Sequence, residues 1–229
     1  MSDDRTSTLI TISNPRSPIS EAYRTLRTNL EFSSLDKPIG SMVVTSAAPE
    51  EGKSTTLANL AVTIAQAGKR VILIDCDLRR PSLHQIFGAK AAPGFTDMMR
   101  EDALMKNPPL QETNVPALRL IASGTIPPNP SELLASRRMT DVIAALQTQA
   151  DIILFDAPPV VAVTDAAVLA SKVDAVLLVV SAGKTKREHA KKAKALLEKV
   201  NARLIGTVLN NVKGEASLYQ YYSNEEKAT

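Results

Sequence analysis

The sequence predicts an α/β fold built on a doubly wound, mostly parallel sheet, and three observations carry that prediction. Strand-length apolar runs alternate with helix-length segments after residue 40, and such alternation gives a parallel sheet joined by crossover helices. The runs within 41–45, 70–75, 151–155 and 174–180 are continuously apolar rather than alternating, as strands covered on both faces are. Gly52-Lys53-Ser54 stands between the first run and a helical segment, the strand–loop–helix setting of a phosphate loop.

Taken in order, residues 1–16 are rich in Ser, Thr and Asp and read as a flexible N-terminal arm. Ser17 followed by Pro18 reads as a helix N-cap with proline at the first helical position, opening a helix that runs to about Phe32. Glu21, Arg24 and Arg27 recur at three-residue spacing and so share one face of that helix. Strands are expected at 41–45, 70–75, 118–121, 151–155, 174–180 and 203–209. Helices are expected at 53–67, 131–149, 164–171 and 185–200. Residues 88–116 and 122–130 read as loop-rich, with Pro93-Gly94, Pro108-Pro109 and Pro127-Pro128-Asn129-Pro130 as breakers. Residues 17–212 thus form one domain. The stretch 213–229 is poor in apolar residues and is expected to be a mobile tail. Three of the four tyrosines, Tyr219, Tyr221 and Tyr222, fall in it.

With 229 residues the chain can bury a sizeable core as one domain. Its longest apolar stretch, 160–182, is broken by Asp165, Lys172 and Asp174, so no membrane span is expected. The N-terminus lacks the apolar core of a signal peptide. The single cysteine, Cys76, excludes an intramolecular disulfide and suits the cytosol; a packed thiol is the expected role. A net charge of +3 does not call for nucleic acid. Eight cations between Lys184 and Arg203 face only Glu188 and Glu198. They read as a solvated helix face, or else as a contact for anionic lipid or an acidic partner. No aromatic residue is interleaved, which argues against single-stranded nucleic acid, and no nucleic-acid partner is expected.

The chemistry is concentrated at strand ends, where ligands bind in such sheets. In Ala47-Ala48-Pro49-Glu50-Glu51-Gly52-Lys53-Ser54-Thr55, residues 48–55 form the expected cradle for nucleotide phosphates. Backbone N–H groups and the helix N-terminus favour the anion. Lys53 reaches the β and γ phosphates, and the Ser54 hydroxyl serves magnesium. Alanine at 47 departs from the usual first glycine, and alanine resists positive φ. Asp156 ends an apolar run, where a carboxylate holds magnesium or caps a turn. Asp75 and Asp77 are two residues apart, hence on the same side of a strand. Two carboxylates so close need a shared cation or proton; with Arg79 and Arg80 following, the alternative is a strand-end salt-bridge cluster.

Together these segments resemble the bacterial tyrosine kinases of capsular and exopolysaccharide biosynthesis, in particular the separate cytoplasmic kinase subunits of Gram-positive bacteria. The resemblance rests on Glu21-Ala22-Tyr23-Arg24-Thr25-Leu26-Arg27, Gly52-Lys53-Ser54-Thr55, Ile74-Asp75-Cys76-Asp77-Leu78-Arg79-Arg80-Pro81, Gly124 with Pro127-Pro128-Asn129-Pro130-Ser131-Glu132-Leu133-Leu134, Phe155-Asp156-Ala157-Pro158-Pro159, and the tyrosine tail. It implies a P-loop NTPase fold of the MinD/ParA type, with ATP and Mg²⁺ as cofactors. Lys53, Asp75, Asp77 and Asp156 become the catalytic set: Ser54, Asp77 and Asp156 for the metal, Asp75 as the base for an incoming tyrosine hydroxyl. Asn210 and Asn211 match where related ATPases contact adenine. Tyr219, Tyr221 and Tyr222 become sites of autophosphorylation. The Glu21, Arg24, Arg27 face matches a ring-forming motif, an octamer among the rings it allows; intrahelical ion pairing explains the same spacing. The implied partners are further copies of the chain, a membrane-embedded polysaccharide co-polymerase that activates it, and a cognate tyrosine phosphatase. The implied location is the cytoplasm, at the inner face of the membrane. The competing readings are a MinD- or ParA-like ATPase working by nucleotide-dependent dimerisation and a non-catalytic nucleotide sensor. The ATPases carry a signature lysine where this chain has Ala48, and have no reason to end in a tyrosine cluster.

Overall fold

The structure, a computed structural model, describes residues 9–212; the expected tail with Tyr219, Tyr221 and Tyr222 lies outside the described residues. Seven strands run in the order β3-β4-β2-β5-β1-β6-β7. They are β1 (Ser41–Ser46), β2 (Val71–Asp75), β3 (Gln111–Glu112), β4 (Leu118–Ile121), β5 (Ile152–Asp156), β6 (Ala175–Ser181) and β7 (Leu204–Asn210). Every pairing is parallel except that of β3 with β4. The helices are α1 (Ile10–Ser13), α2 (Pro18–Ser33), α3 (Lys53–Gln66), α4 (Leu83–Ile86), α5 (Phe95–Met98), α6 (Asp102–Lys106), α7 (Pro130–Ala135), α8 (Arg137–Gln147), α9 (Asp165–Ala170) and α10 (Arg187–Lys199).

Strand periodicity divides the core in two. Val43, Ile72, Ile74, Ile153, Phe155, Val176 and Leu178 meet Met139, Val142 and Leu146 of α8, Leu169 of α9 and Leu197 of α10. The intervening residues Met42, Val44, Val71, Leu73, Leu154, Leu177 and Val179 meet Leu57, Leu60, Ala61 and Ile64 of α3. Alternate side chains leave opposite faces of a strand, and both faces of β1, β2, β5 and β6 are covered, which is why these strands carry no polar alternation.

Three expectations need correction. The flexible arm expected at 1–16 does not hold for 9–16: Leu9 is buried against the α3 face of the sheet. Within α1, the backbone N–H and hydroxyl of Thr11 both donate to Asn59 Oδ1, at 3.1 and 2.8 Å. The single helix expected at 131–149 is two. Ser136 leaves helical geometry at ψ 157°, its hydroxyl bonds Leu133 O, and its carbonyl accepts from Lys172 Nζ. That break lets α7 pack on α9 while α8 lies against β5. The loops around 88–116 hold α5, α6 and β3, pinned by Phe95 and Met98, both fully buried. The cap at Ser17 is as expected: its hydroxyl accepts from Ser20 N at 3.1 Å, with Pro18 opening α2.

Candidate active site

The carboxyl ends of β1, β2 and β5 meet at one point because they are neighbours in the order β2-β5-β1. β1 passes into the phosphate loop, and α3 starts at Lys53. The turn places its left-handed residues at Glu50 (φ 58°) and Gly52 (φ 85°). Ala47 is not among the positive-φ residues, so the alanine that departs from the usual pattern carries no strain. Gly52 is favoured by its φ, and a Cβ there would lie 2.2 Å from Asn210 Nδ2, so the amide that bonds Glu51 O would have to move.

Glu51 is almost wholly buried and turns back into its own loop. Its carboxylate accepts from Ala48 N at 2.9 Å and from the Thr185 hydroxyl. Its carbonyl accepts from Asn210 Nδ2 at 3.0 Å. Lys184 Nζ donates to Glu50 O at 3.2 Å. The loop is thus fastened by the β6–α10 connection and by the end of β7. Nothing in the sequence signalled the Glu51–Thr185 contact, which joins positions far apart in the chain.

Lys53 bridges the acids. Its Nζ lies 2.8 Å from Asp77 Oδ2 and 3.1 Å from Asp156 Oδ1. Burial alone would pull the Lys53 pKa down; Asp156 and Asp77 outweigh it, and the net shift is upward. The Ser54 hydroxyl donates to the other oxygen of Asp156. Asp156 is fully buried, and burial raises its pKa against the pull of Lys53 and Ser54. Asp75 pairs in register with Asp156 across β2 and β5. Burial first, then the Asp156 charge, pushes Asp75 up to about 7. Cys76, buried among these acids, has its thiol raised well above the ordinary value, chiefly by burial, and is a packed thiol.

The two aspartates of the β2 end differ in setting. Asp77 lines a cleft of about 530 Å³ together with Pro49, Glu50, Gly52, Lys53, Ser54 and Thr55, a volume suited to a small-molecule ligand. Asp75 stands behind that wall. Its Oδ2 accepts from Ser82 N and Leu83 N, both at 2.9 Å, and its Oδ1 from Asp77 N at 3.2 Å. The salt-bridge alternative is wrong in its partners: Lys53 serves Asp77, and Arg79 pairs with Asp165 instead. Arg79, Arg80, Pro158 and Pro159 also line the cleft. Asn210 reaches the loop backbone, and Asn211 Nδ2 donates to Ser181 Oγ at 3.0 Å. The hydroxyl and two carboxylates around Lys53 form the donor set that Mg²⁺ takes when phosphate oxygens and water complete its shell.

Away from the cleft, Glu21 and Arg24 form the intrahelical ion pair. Arg24 also donates to Pro15 O at 2.7 Å, and Arg27 to Thr63 O at 3.0 Å. The cations of α10 lie on its exposed face, opposite the buried Ala193 and Leu197.

A phosphate loop on a central parallel strand, facing a carboxylate from the adjacent β5 and one from the end of β2 beyond it, defines a P-loop NTPase. The family model described as ParA, NUBPL iron-transfer P-loop NTPase, matches residues 40–219. The chain is 43% identical over 219 residues to the tyrosine-protein kinase YwqD of Bacillus subtilis, covering 95% of this chain and 92% of that protein. Among solved structures it resembles the chimerical protein CapA2B2, with a TM-score of 0.86, 38% identity and 91% of each chain covered. It also resembles the kinase domain of the Escherichia coli tyrosine kinase ETK, with a TM-score of 0.83 and 31% identity over 89% of this chain and 80% of that one. The chain belongs to the family of bacterial tyrosine-protein kinases.

Proposed function

We propose that this chain is an ATP-dependent protein-tyrosine autokinase that phosphorylates Tyr219, Tyr221 and Tyr222 and thereby regulates capsular or exopolysaccharide synthesis and export. The observation that carries the reading is the Lys53 ammonium between Asp77 and Asp156, with the Ser54 hydroxyl on the same carboxylate. In this reading the loop N–H groups and Lys53 bind the β and γ phosphates, while Ser54, Asp77 and Asp156 hold Mg²⁺. The metal ion supplies charge neutralisation for the transferred phosphoryl group. Asn210 and Asn211, at the end of β7, are the proposed adenine contacts.

Asp75 is the proposed proton acceptor. A pKa of about 7 suits a base that works at neutral pH. Its burial behind Asp77 favours a second reading, in which Asp75 holds the β2–α4 turn through Ser82 N and Leu83 N.

The ATPase reading is less well supported. Ala48 offers no charged side chain to a partner's nucleotide, and its N–H is already taken by Glu51 of the same loop.

Assembly into a ring through Glu21, Arg24 and Arg27 is part of the same proposal, as are an activating membrane-embedded partner at the inner face of the membrane and a phosphatase that resets the tail. From Asn211 to Tyr219 the chain can extend roughly 27 Å, enough to enter a neighbour's cleft, so transfer in trans is the proposed geometry. Lys53→Met chains with intact tails, mixed with wild-type chains lacking residues 217–229 and with Mg²⁺ and ATP, should acquire phosphotyrosine. Mapping of the modified residues reads the result, and failure where intact wild type modifies itself would exclude the trans route.

A further inference from the structure

Arg79 has a partner that the sequence did not suggest. Its Nε and Nη2 donate to the two oxygens of Asp165, at 3.0 and 3.1 Å. Asp165, the first residue of α9, is fully buried. Its Oδ1 also accepts from the Ser131 hydroxyl, which itself accepts from Thr164 Oγ1 at 3.1 Å. The carboxylate is therefore held by three hydrogen bonds from two side chains.

The pair is lopsided in exposure. The Asp165 side chain is 0% exposed, while that of Arg79 is 43% exposed and lines the cleft that holds Lys53, Ser54 and Asp77. A guanidinium carries five N–H donors in a rigid fork. Asp165 takes two, and three remain for the cleft. Burying a carboxylate is costly, and here the cation that offsets the cost stays open to the cleft. Lys53, by contrast, is engaged by two acids.

We propose that Arg79 is a phosphate-binding residue of the cleft and that Asp165 is its positioning residue. The ligand chemistry is a phosphate oxyanion, carried either by the nucleotide or by a newly modified tyrosine. The proposal deepens the kinase reading and rests on it for the identity of the cleft.

The test uses Arg79→Gln and Asp165→Asn, singly and together, in the full chain. The double variant replaces the ion pair by an amide pair, so no buried charge is left unpaired and the unfolding midpoint should stay close to that of wild type. Removing a preorganised donor to a reacting oxyanion typically costs on the order of 10²–10³ in kcat. Arg79→Gln should therefore slow phosphotyrosine formation at least about tenfold. Asp165→Asn should slow it through the same parameter, and the double variant should be no slower than Arg79→Gln, because both changes remove one arrangement. Two binding titrations locate the oxyanion. Weakened binding of a fluorescent ATP analogue with Mg²⁺ places it on the nucleotide. Unchanged nucleotide binding with weakened binding of a phosphotyrosine peptide places it on the product. Wild-type affinity for both, with transfer within about twofold of wild type, overturns the role of Arg79. Losses that multiply in the double variant overturn positioning by Asp165. If wild type forms no phosphotyrosine at all, the kinase reading fails, while the nucleotide titration still tests Arg79.

Discussion

Replacing Asp75 with asparagine should raise stability at alkaline pH, lower it in acid, and slow phosphoryl transfer. The native carboxyl holds its proton up to about pH 7, against an ordinary 3.8. Between those values the folded chain binds more protons than the unfolded one, so this group makes stability fall as pH rises. A difference of about 3 units at 1.36 kcal/mol per unit amounts to roughly 4 kcal/mol of destabilisation above pH 7. That is an upper limit, because Asp75 and Asp156 share the charge penalty. Asparagine removes the charge. It also turns an NH₂ group toward one of the three backbone N–H donors now served by the carboxylate, at a cost of roughly 1–3 kcal/mol. The net expectation is a gain of roughly 1–3 kcal/mol at pH 8 and a loss of similar size near pH 4. Urea unfolding from pH 4 to 8 measures both. A difference between variant and wild type that does not change with pH would show that Asp75 does not titrate there, and the reasoning from burial would fail. In the kinase assay, loss of a general base costs roughly 10²–10⁴ in rate, and the wild-type rate should rise through pH 7 as Asp75 ionises. An undiminished rate in Asp75→Asn confines the residue to the turn.

Other outcomes follow from the same geometry. Lys53→Met should abolish tyrosine phosphorylation and leave Asp77 and Asp156 without their bridging cation, at a cost of roughly 3–5 kcal/mol. Thermal melts should show part of that stability returning with Mg²⁺ or in acid; phosphotyrosine at the wild-type level would remove Lys53 from the chemistry. Asn59→Ala strips the acceptor from Thr11 and should cost roughly 1–3 kcal/mol in denaturant unfolding with little change in nucleotide affinity. Alanine at Glu21, Arg24 and Arg27 together should convert a ring to smaller species by light scattering, and an unchanged mass would leave these residues with only the intrachain bonds described above.

The parts legible in the sequence were those where burial is two-sided or the turn chemistry is local. The expected strand 41–45 matched β1 to within a residue because Met42, Val43 and Val44 form an unbroken apolar centre, and the Ser17-Pro18 cap was readable because both of its signals sit in two residues. The turn around Gly52-Lys53-Ser54 was readable from that motif between a strand and a helix, and Asp156 was readable as the end of its strand, β5. Ser136 was not: it breaks a helix without glycine or proline, and its geometry depends on Leu133 and on the distant Lys172. β3 spans two residues, too few to show a period. The anchoring of α1 hides in a Ser- and Thr-rich stretch whose Leu9, Ile10 and Ile12 are the only apolar hint. The Glu51–Thr185 and Arg79–Asp165 contacts join residues that only the sheet order brings together.

That sheet order also sets a timetable. β1, which feeds the phosphate loop, pairs Ser41 with Ile153 on one side and Met42 with Ala175 on the other. When the ribosome has made the first hundred residues, neither neighbour exists. β2 and β4 can join each other earlier, but the run Ser41–Ser46 waits with both edges bare until β5 and β6 have emerged. Pairings so distant along the chain are slow to form, and an unpaired apolar strand is a site for aggregation. A nascent or truncated chain ending before β6 therefore carries the nucleotide loop on its least protected strand. Ribosome-stalled chains of increasing length should bind nucleotide only once β6 has cleared the exit tunnel.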